Sequence, residues 1–458
     1  MPRARLQTIP LPDFGSPGSM PVLPDGIYAE RLARLRSAMA RHGYERLVVY
    51  ADREHSANLA WLSGFDPRFE EAVLIVAPQG EPLLLAGNEC TGMAAAAPLP
   101  MRVELWQDLS LPGQPRDRSR PLSEILASEG VTPGSSVGVV GWKPYADRTW
   151  LEVPSYLADA LRQAVGASGR VENANELLID PAVGLRAVNE PEQLAVFEYA
   201  ACHTSEGVKR LLLGLRPGLT EQEAVQLLRW NGAPLSCHLM LSSGPRASLG
   251  LLSPSDRVIE RGDRFTIAFG VWGALDCRAG FVVEDANELP HGIDDYVERL
   301  VAPYFEAIGQ WLEALHIGCT GGQLQAIIDR HLGDSFFGLF LNPGHLIGLD
   351  EWVHSPVAPD SSVELRSGMA LQVDVIPATG SDYFTTNIEG GLAIADGALR
   401  GQLQARYPEA WARIVARRAF MRDELGIDLH PDVLPLSNLP AYLPPFLLAP
   451  ERALTLRP

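Results

Sequence analysis

No run in the 458 residues is long and apolar enough to cross a bilayer. The longest, such as Ala72–Pro78, fall far short of the roughly 20 residues a spanning helix needs. The first 26 residues are rich in Pro and hold no continuous apolar core, which argues against a secretory signal or membrane anchor. Basic charge is scarce: 38 Lys and Arg stand against 56 Asp and Glu, a formal net charge of −18. No basic run reverses this locally, so neither nucleic acid nor a membrane surface is an expected partner. Cysteine is scarce too. Cys90, Cys202, Cys237, Cys277 and Cys319 are odd in number, and no two have zinc-finger or redox-motif spacing. A disulfide scaffold is not expected, and a reducing cytoplasm is the expected location.

What remains is an ordinary globular composition, 46% hydrophobic and 21% charged, on a chain long enough for two domains. The Pro-rich segment 1–26 reads as an extended arm. An amphipathic helix follows from Tyr28 to His42, with Leu32, Leu35 and Met39 at helical spacing. Strands are predicted over Arg46–Tyr50, Ala72–Ala77 and Pro82–Leu85, the last two forming a hairpin through Gly80. Another strand over Ser136–Gly141 and a helix over Val153–Val165 complete an alternating α/β pattern up to about residue 183.

A long helix is predicted after Val188, with Asn189 as its N-cap and Pro191 in its first turn. A second begins at Thr220, where Thr220 and Glu223 form a capping box. Strands are predicted over Phe265–Phe269 and Phe281–Val283, flanking a Gly-rich connection. Helices follow over Asp294–His316 and Thr320–His331, then strands over Ala370–Ile376 and Gly391–Ile394. The Pro- and Leu-rich end, Leu434–Pro458, reads as an irregular tail.

Four blocks carry a family resemblance. They are Leu185–Glu192 with Gly214–Glu221, then Gly262–Gly270, then Pro343–Leu349, and finally Leu365–Asp374 with Asn387–Glu389. In order and spacing they are similar to the catalytic half of the creatinase, prolidase and aminopeptidase P family. Leu62-Ser63-Gly64-Phe65 resembles a motif of that family's first domain. The resemblance implies an α+β fold: a pita-bread catalytic domain over 186–432, preceded by a smaller creatinase-type α/β domain over 27–185. The arm 1–26 and a Pro-rich tail 433–458 flank them. It also implies a homodimer.

Active metallopeptidases of the family hold two divalent ions with two Asp, one His and two Glu, and the ions activate a water. Carried over residue by residue, the first Asp position is Ala268, whose methyl group binds no metal. If Arg278 matches the family's Arg, the second Asp position is Leu275. Asp276 stands one residue away, and only a bulge in the hairpin would turn it inward. His345 is retained, Asp374 replaces the first Glu, and Glu389 is the second. The expected site is therefore metal-free, or holds at most one ion on His345, Asp374 and Glu389.

Metal-free creatinase resembles this pattern, and acid–base chemistry would then rest on His345, Asp374, Glu389 and Asp276. Trp352, His354, Glu351 and Arg278 are expected to bind substrate, with His238 a further candidate. Three functions are compatible. The first is a hydrolase cleaving a C–N bond of a small molecule. The second is an Xaa-Pro aminopeptidase or dipeptidase with an altered metal site, and the third a binding protein on a retired peptidase fold. The expected partner is a small molecule or short peptide.

Overall fold

The computed structural model describes residues 4–457. It divides into two compact units, residues 23–187 and residues 4–22 with 188–457. Residues 1–3 of the predicted arm and Pro458 of the predicted tail lie outside the described residues.

In chain order the strands are β1 (Arg5–Thr8), β2 (Arg46–Ala51), β3 (Ala72–Val76), β4 (Leu83–Ala86), β5 (Arg102–Leu105), β6 (Ser136–Val140) and β7 (Arg170–Asn173). Then come β8 (Met240–Ser243), β9 (Arg264–Val271), β10 (Ala274–Phe281), β11 (His345–Leu346), β12 (Ala370–Gln372), β13 (Asn387–Glu389), β14 (Gly391–Ile394), β15 (Val433–Pro435) and β16 (Arg452–Thr455).

The smaller unit is a six-stranded sheet in the order β5-β4-β3-β2-β6-β7. Its centre reads as continuous apolar strands because helices cover it: β3 is Ala-Val-Leu-Ile-Val with every residue buried. β3 and β4 pair antiparallel, as the Gly80 turn predicts, and Gly80 takes φ +81°. Val48, Val73, Leu85, Val139, Leu157 and Leu161 belong to one apolar core.

The larger unit holds two four-stranded sheets, ordered β13-β10-β9-β8 and β11-β12-β14-β15, in which every pairing is antiparallel. The long helix Pro191–Gly214 packs on β9 and β10. Its N-cap is Glu190, not Asn189; Asn189 Nδ2 instead donates to the Gly368 carbonyl at 3.0 Å. The predicted capping box is formed: Glu223 N donates to Thr220 Oγ1 at 3.1 Å, and Thr220 N donates to Glu223 Oε2 at 2.8 Å.

Three predicted elements differ. The Gly-rich connection is not a loop but the body of a hairpin, because a two-residue turn, Trp272-Gly273, joins β9 directly to β10. Gly273 takes φ +98°, and a Cβ there would lie 2.3 Å from the Phe197 ring, so only Gly fits. The strand predicted to run to Ile376 stops at Gln372. The ends of the chain are neither a free arm nor wholly irregular: β1 pairs antiparallel with β16, Arg5 opposite Thr455, and β15 joins the second sheet.

Candidate active site

One segment links the two sheets of the larger unit. β13 ends at Glu389 on the first sheet, and β14 begins at Gly391 on the second. A hydrogen bond ties them again, from Gln372 Nε2 on β12 to the Leu275 carbonyl on β10 at 2.7 Å. Across this junction His345, on β11 opposite Gln372, meets Glu389. Gly344 sets the approach: it takes φ +118°, and a Cβ there would press on Trp311 at 2.9 Å and on the Gln372 carbonyl at 3.1 Å.

The His345 ring is fully buried and held on two sides. Trp352 stacks on it, centroids 4.1 Å apart and planes 17° apart. Nδ1 lies 3.2 Å from the Leu346 carbonyl, which makes Nδ1 the donor and aims Nε2 into the junction. Three carboxylates surround Nε2: Glu351 Oε1 at 3.1 Å, Glu389 Oε1 at 3.5 Å and Asp374 Oδ2 at 3.9 Å. None is aligned as a hydrogen bond, so His345 Nε2 and Glu389 Oε1 are both buried without a hydrogen-bond partner; the other Asp374 oxygen, Oδ1, is likewise buried and unpaired. Buried polar atoms are nearly always paired, so two orphans facing each other across one junction mark a place built for something else.

Proton affinities are displaced throughout. Burial depresses the imidazole pKa, but Glu351 and Glu389 outweigh it and hold His345 well above its ordinary value. Burial raises Asp374 well above the usual carboxylate range, and the neighbouring Glu389 adds to it. Burial likewise raises Glu389, against the opposing pull of His345. Such displacements cluster at reaction centres.

The structure does not gather all the residues expected here. The β9–β10 register is unbroken from Ala274 opposite Val271 to Phe281 opposite Arg264, so there is no bulge to turn Asp276 inward. Asp276 faces the opposite side, where it accepts from Thr204 Oγ1 at 2.9 Å and Ser437 Oγ at 2.8 Å. Arg278 is fully buried and donates to the carbonyls of Cys277, Glu389, Leu439 and Tyr442, which fixes the chain end and leaves the guanidinium away from solvent. His238 is exposed, with Nε2 2.8 Å from the Leu251 carbonyl. His354 is half-buried, its backbone bridged to Leu346 and its Nδ1 3.1 Å from the Ser355 carbonyl. Glu351 and Trp352, expected as pocket residues, are the two that reach His345.

One further contributor supports the site from beside it. Cys277 stands directly opposite both Ala268 on β9 and Glu389 on β13, and its thiol donates to Glu389 Oε2 at 2.8 Å. Burial and the Glu389 charge raise the thiol pKa well above its ordinary value, so it stays protonated. The sequence held a signal for this: once Trp272-Gly273 is read as a two-residue turn, counting back pairs 268 with 277.

These side chains do not fit a paired-ion centre. Ala268, Leu275 and Cys277 form an apolar cluster where further carboxylates would be needed, with Met240 and Cys237 packed against it. They do fit one divalent cation. Among the described residues, one ligand atom each from His345, Glu351 and Glu389 lie within 4.8 Å of one another.

Two family models match the chain. The Creatinase/Prolidase N-terminal domain matches residues 31–177, and Metallopeptidase family M24 matches residues 196–397. An uncharacterized peptidase of Bacillus subtilis (strain 168), YqhT, is 27% identical over 229 residues, 47% of this chain and 62% of that protein. The match thus spans less than two thirds of that relative. Among solved structures, the prolidase from Pyrococcus horikoshii OT3 superposes with TM-score 0.61 at 16% identity, covering 80% of this chain and 95% of that one. The Xaa-Pro dipeptidase from Bacillus anthracis gives 0.60 at 18%, covering 81% and 96%. The dipeptidase PepE from Mycobacterium ulcerans gives 0.61 at 18%, covering 81% and 94%. Likeness at this level of identity establishes the fold.

Proposed function

Because the chain belongs to the creatinase, prolidase and aminopeptidase P family, we propose that it is a hydrolase cleaving a C–N bond of a small molecule or short peptide at the His345 junction. The family architecture is present in full: a creatinase-type N-terminal domain, then an α+β pita-bread domain. The observation that carries the reading is the pair of buried, unpartnered atoms His345 Nε2 and Glu389 Oε1, facing each other at 3.5 Å between the two sheets with the Asp374 carboxyl beside them.

In this reading the junction is a single centre built around His345 Nε2. Glu351 and Glu389 bind and orient the reacting group around it. Asp374, whose raised proton affinity suits a general base, takes the proton from the attacking water and passes it to the departing nitrogen. Trp352 forms the flat wall against which a planar amide or amidine lies. A divalent ion held by His345, Glu351 and Glu389 would supply Lewis-acid polarisation of the scissile group. The reading also takes the protein as cytoplasmic, in keeping with its five free cysteines, and as a homodimer, which only the family resemblance implies.

A second reading, an Xaa-Pro aminopeptidase or dipeptidase, draws on the names of the matched structures. One experiment covers both. The full chain is assayed, with and without added manganese or cobalt, against guanidino, amidino and cyclic-amide compounds and Xaa-Pro dipeptides. Any substrate turned over is retested with His345→Ala and Asp374→Asn, whose folding is checked by thermal unfolding. Loss of turnover in a folded His345→Ala variant is expected, and unchanged turnover would sink the proposal. Metal-stimulated cleavage confined to Xaa-Pro peptides selects the second reading. A folded chain inert to the whole panel favours a retired, binding-only fold.

A further inference from the structure

Glu389 divides its two oxygens between unlike neighbours. Oε2 accepts the Cys277 thiol proton at 2.8 Å, while Oε1 has no hydrogen-bond partner and faces His345 Nε2 at 3.5 Å. A carboxylate joining two cations needs both oxygens open, and here one is occupied by a group carrying hydrogen. Behind the thiol stand Ala268 and Leu275, with no donor to offer a second ion. We propose that this chain binds one divalent cation, not two, on His345 Nε2, Glu351 Oε1 and Glu389 Oε1, with Glu351 serving as the third ligand in place of Asp374.

The inference rests on the same junction as the hydrolase reading and corrects the ligand set expected from sequence, which named Asp374. The distances decide between the two carboxylates. Glu351 Oε1 is 3.1 Å from Nε2 and belongs to the group lying within 4.8 Å, whereas Asp374 Oδ2 is 3.9 Å away and lies outside that group. The imidazole is preset for a ligand role, since the Trp352 stack fixes its plane and the Leu346 carbonyl fixes its tautomer. Glu351 is the one member reaching solvent, its side chain 22% exposed, and so offers the cation a way in. One imidazole nitrogen and two carboxylate oxygens suit manganese, cobalt, iron or zinc rather than a soft monovalent ion. Asp374 is left outside the ligand set, buried beside it and free to handle protons.

The test uses the full chain, stripped with a chelator and dialysed against Mn²⁺, Co²⁺ or Zn²⁺ in turn. It is read by elemental analysis and by the visible absorption of the Co²⁺ form. One equivalent per chain is expected, abolished by His345→Ala and weakened at least tenfold by Glu351→Gln, with less effect from Asp374→Asn. The unfolding midpoint of the stripped Glu351→Gln protein should match wild type, because Glu351 is partly exposed. Two equivalents, no binding, or affinity that depends on Asp374 more than on Glu351 would each overturn the inference. The two proposals fail separately. His345-dependent hydrolysis by a protein that binds no ion overturns this one and leaves the hydrolase reading standing. One equivalent bound through Glu351 by a chain that hydrolyses nothing supports this one and leaves the other to fail.

Discussion

Replacing Asp276 by Asn should make the protein more stable, and increasingly so as pH rises. Asp276 is wholly buried between β10, the helix Pro191–Gly214 and the segment after β15. Burial pushes its pKa up to about 7, against the opposing pull of Arg278 and the two hydroxyls that donate to it. A carboxyl whose folded pKa lies above its unfolded value favours the fold when protonated. That contribution is complete below about pH 3.8 and is lost as pH rises to about 7.

Asn copies the protonated state without titrating. Ser437 Oγ still donates to the side-chain oxygen, and the amide donates to Thr204 Oγ1, whose own proton turns to the Ala201 carbonyl 3.2 Å away. At about 1.36 kcal/mol per pKa unit, the wild type loses roughly 2–3 kcal/mol relative to the variant between pH 5 and pH 8. Urea unfolding of both proteins at pH 5, 6, 7 and 8 reads this difference directly, and the subtraction cancels every other titrating group. A swing under about 0.5 kcal/mol, or one favouring the variant at low pH, would refute the assignment of Asp276 as a protonated internal brace.

Cys277→Ala removes the hydrogen that Glu389 Oε2 accepts and leaves that oxygen buried; a loss of about 1–3 kcal/mol is expected in urea unfolding. Arg417→Ala breaks a buried network in which Arg417 and Arg413 both pair with Glu198 and Arg417 also donates to Asn438. Removing one partner there should cost about 3–5 kcal/mol, seen as a lowered thermal midpoint.

Much of this was legible in the residues, for reasons that differ by element. The Thr220 capping box and the Gly80 turn are local, so the sequence carries all the information they need. His345, Asp374 and Glu389 stood out through the resemblance to the family's motifs, Asp374 also because a carboxylate among apolar strand residues is costly unless used. The β9–β10 hairpin misled because its glycines suggest a loose connection, while Gly273 alone makes the turn and Gly270 permits close packing against Ser236 and Leu275. The unbroken register that follows keeps Asp276 on one face and Cys277 on the other. Glu351 as a neighbour of His345 depends on how the loop after β11 folds back, which no spacing rule encodes. The partner of β1 lies at the far end of the chain, where no local pattern reaches.

That last pairing has a consequence for the order in which the protein is made. β1 leaves the ribosome before β16, so the edge of β1 waits for its partner while all the residues between them are made. At about 5–20 residues per second the wait is on the order of 20–90 s. Residues 23–187 emerge complete well before then, while the larger unit lacks its closing strand until β16 has been made. A short strand of Arg-Leu-Gln-Thr, polar and exposed at three of its four positions, is poorly suited to recruit another chain while it waits.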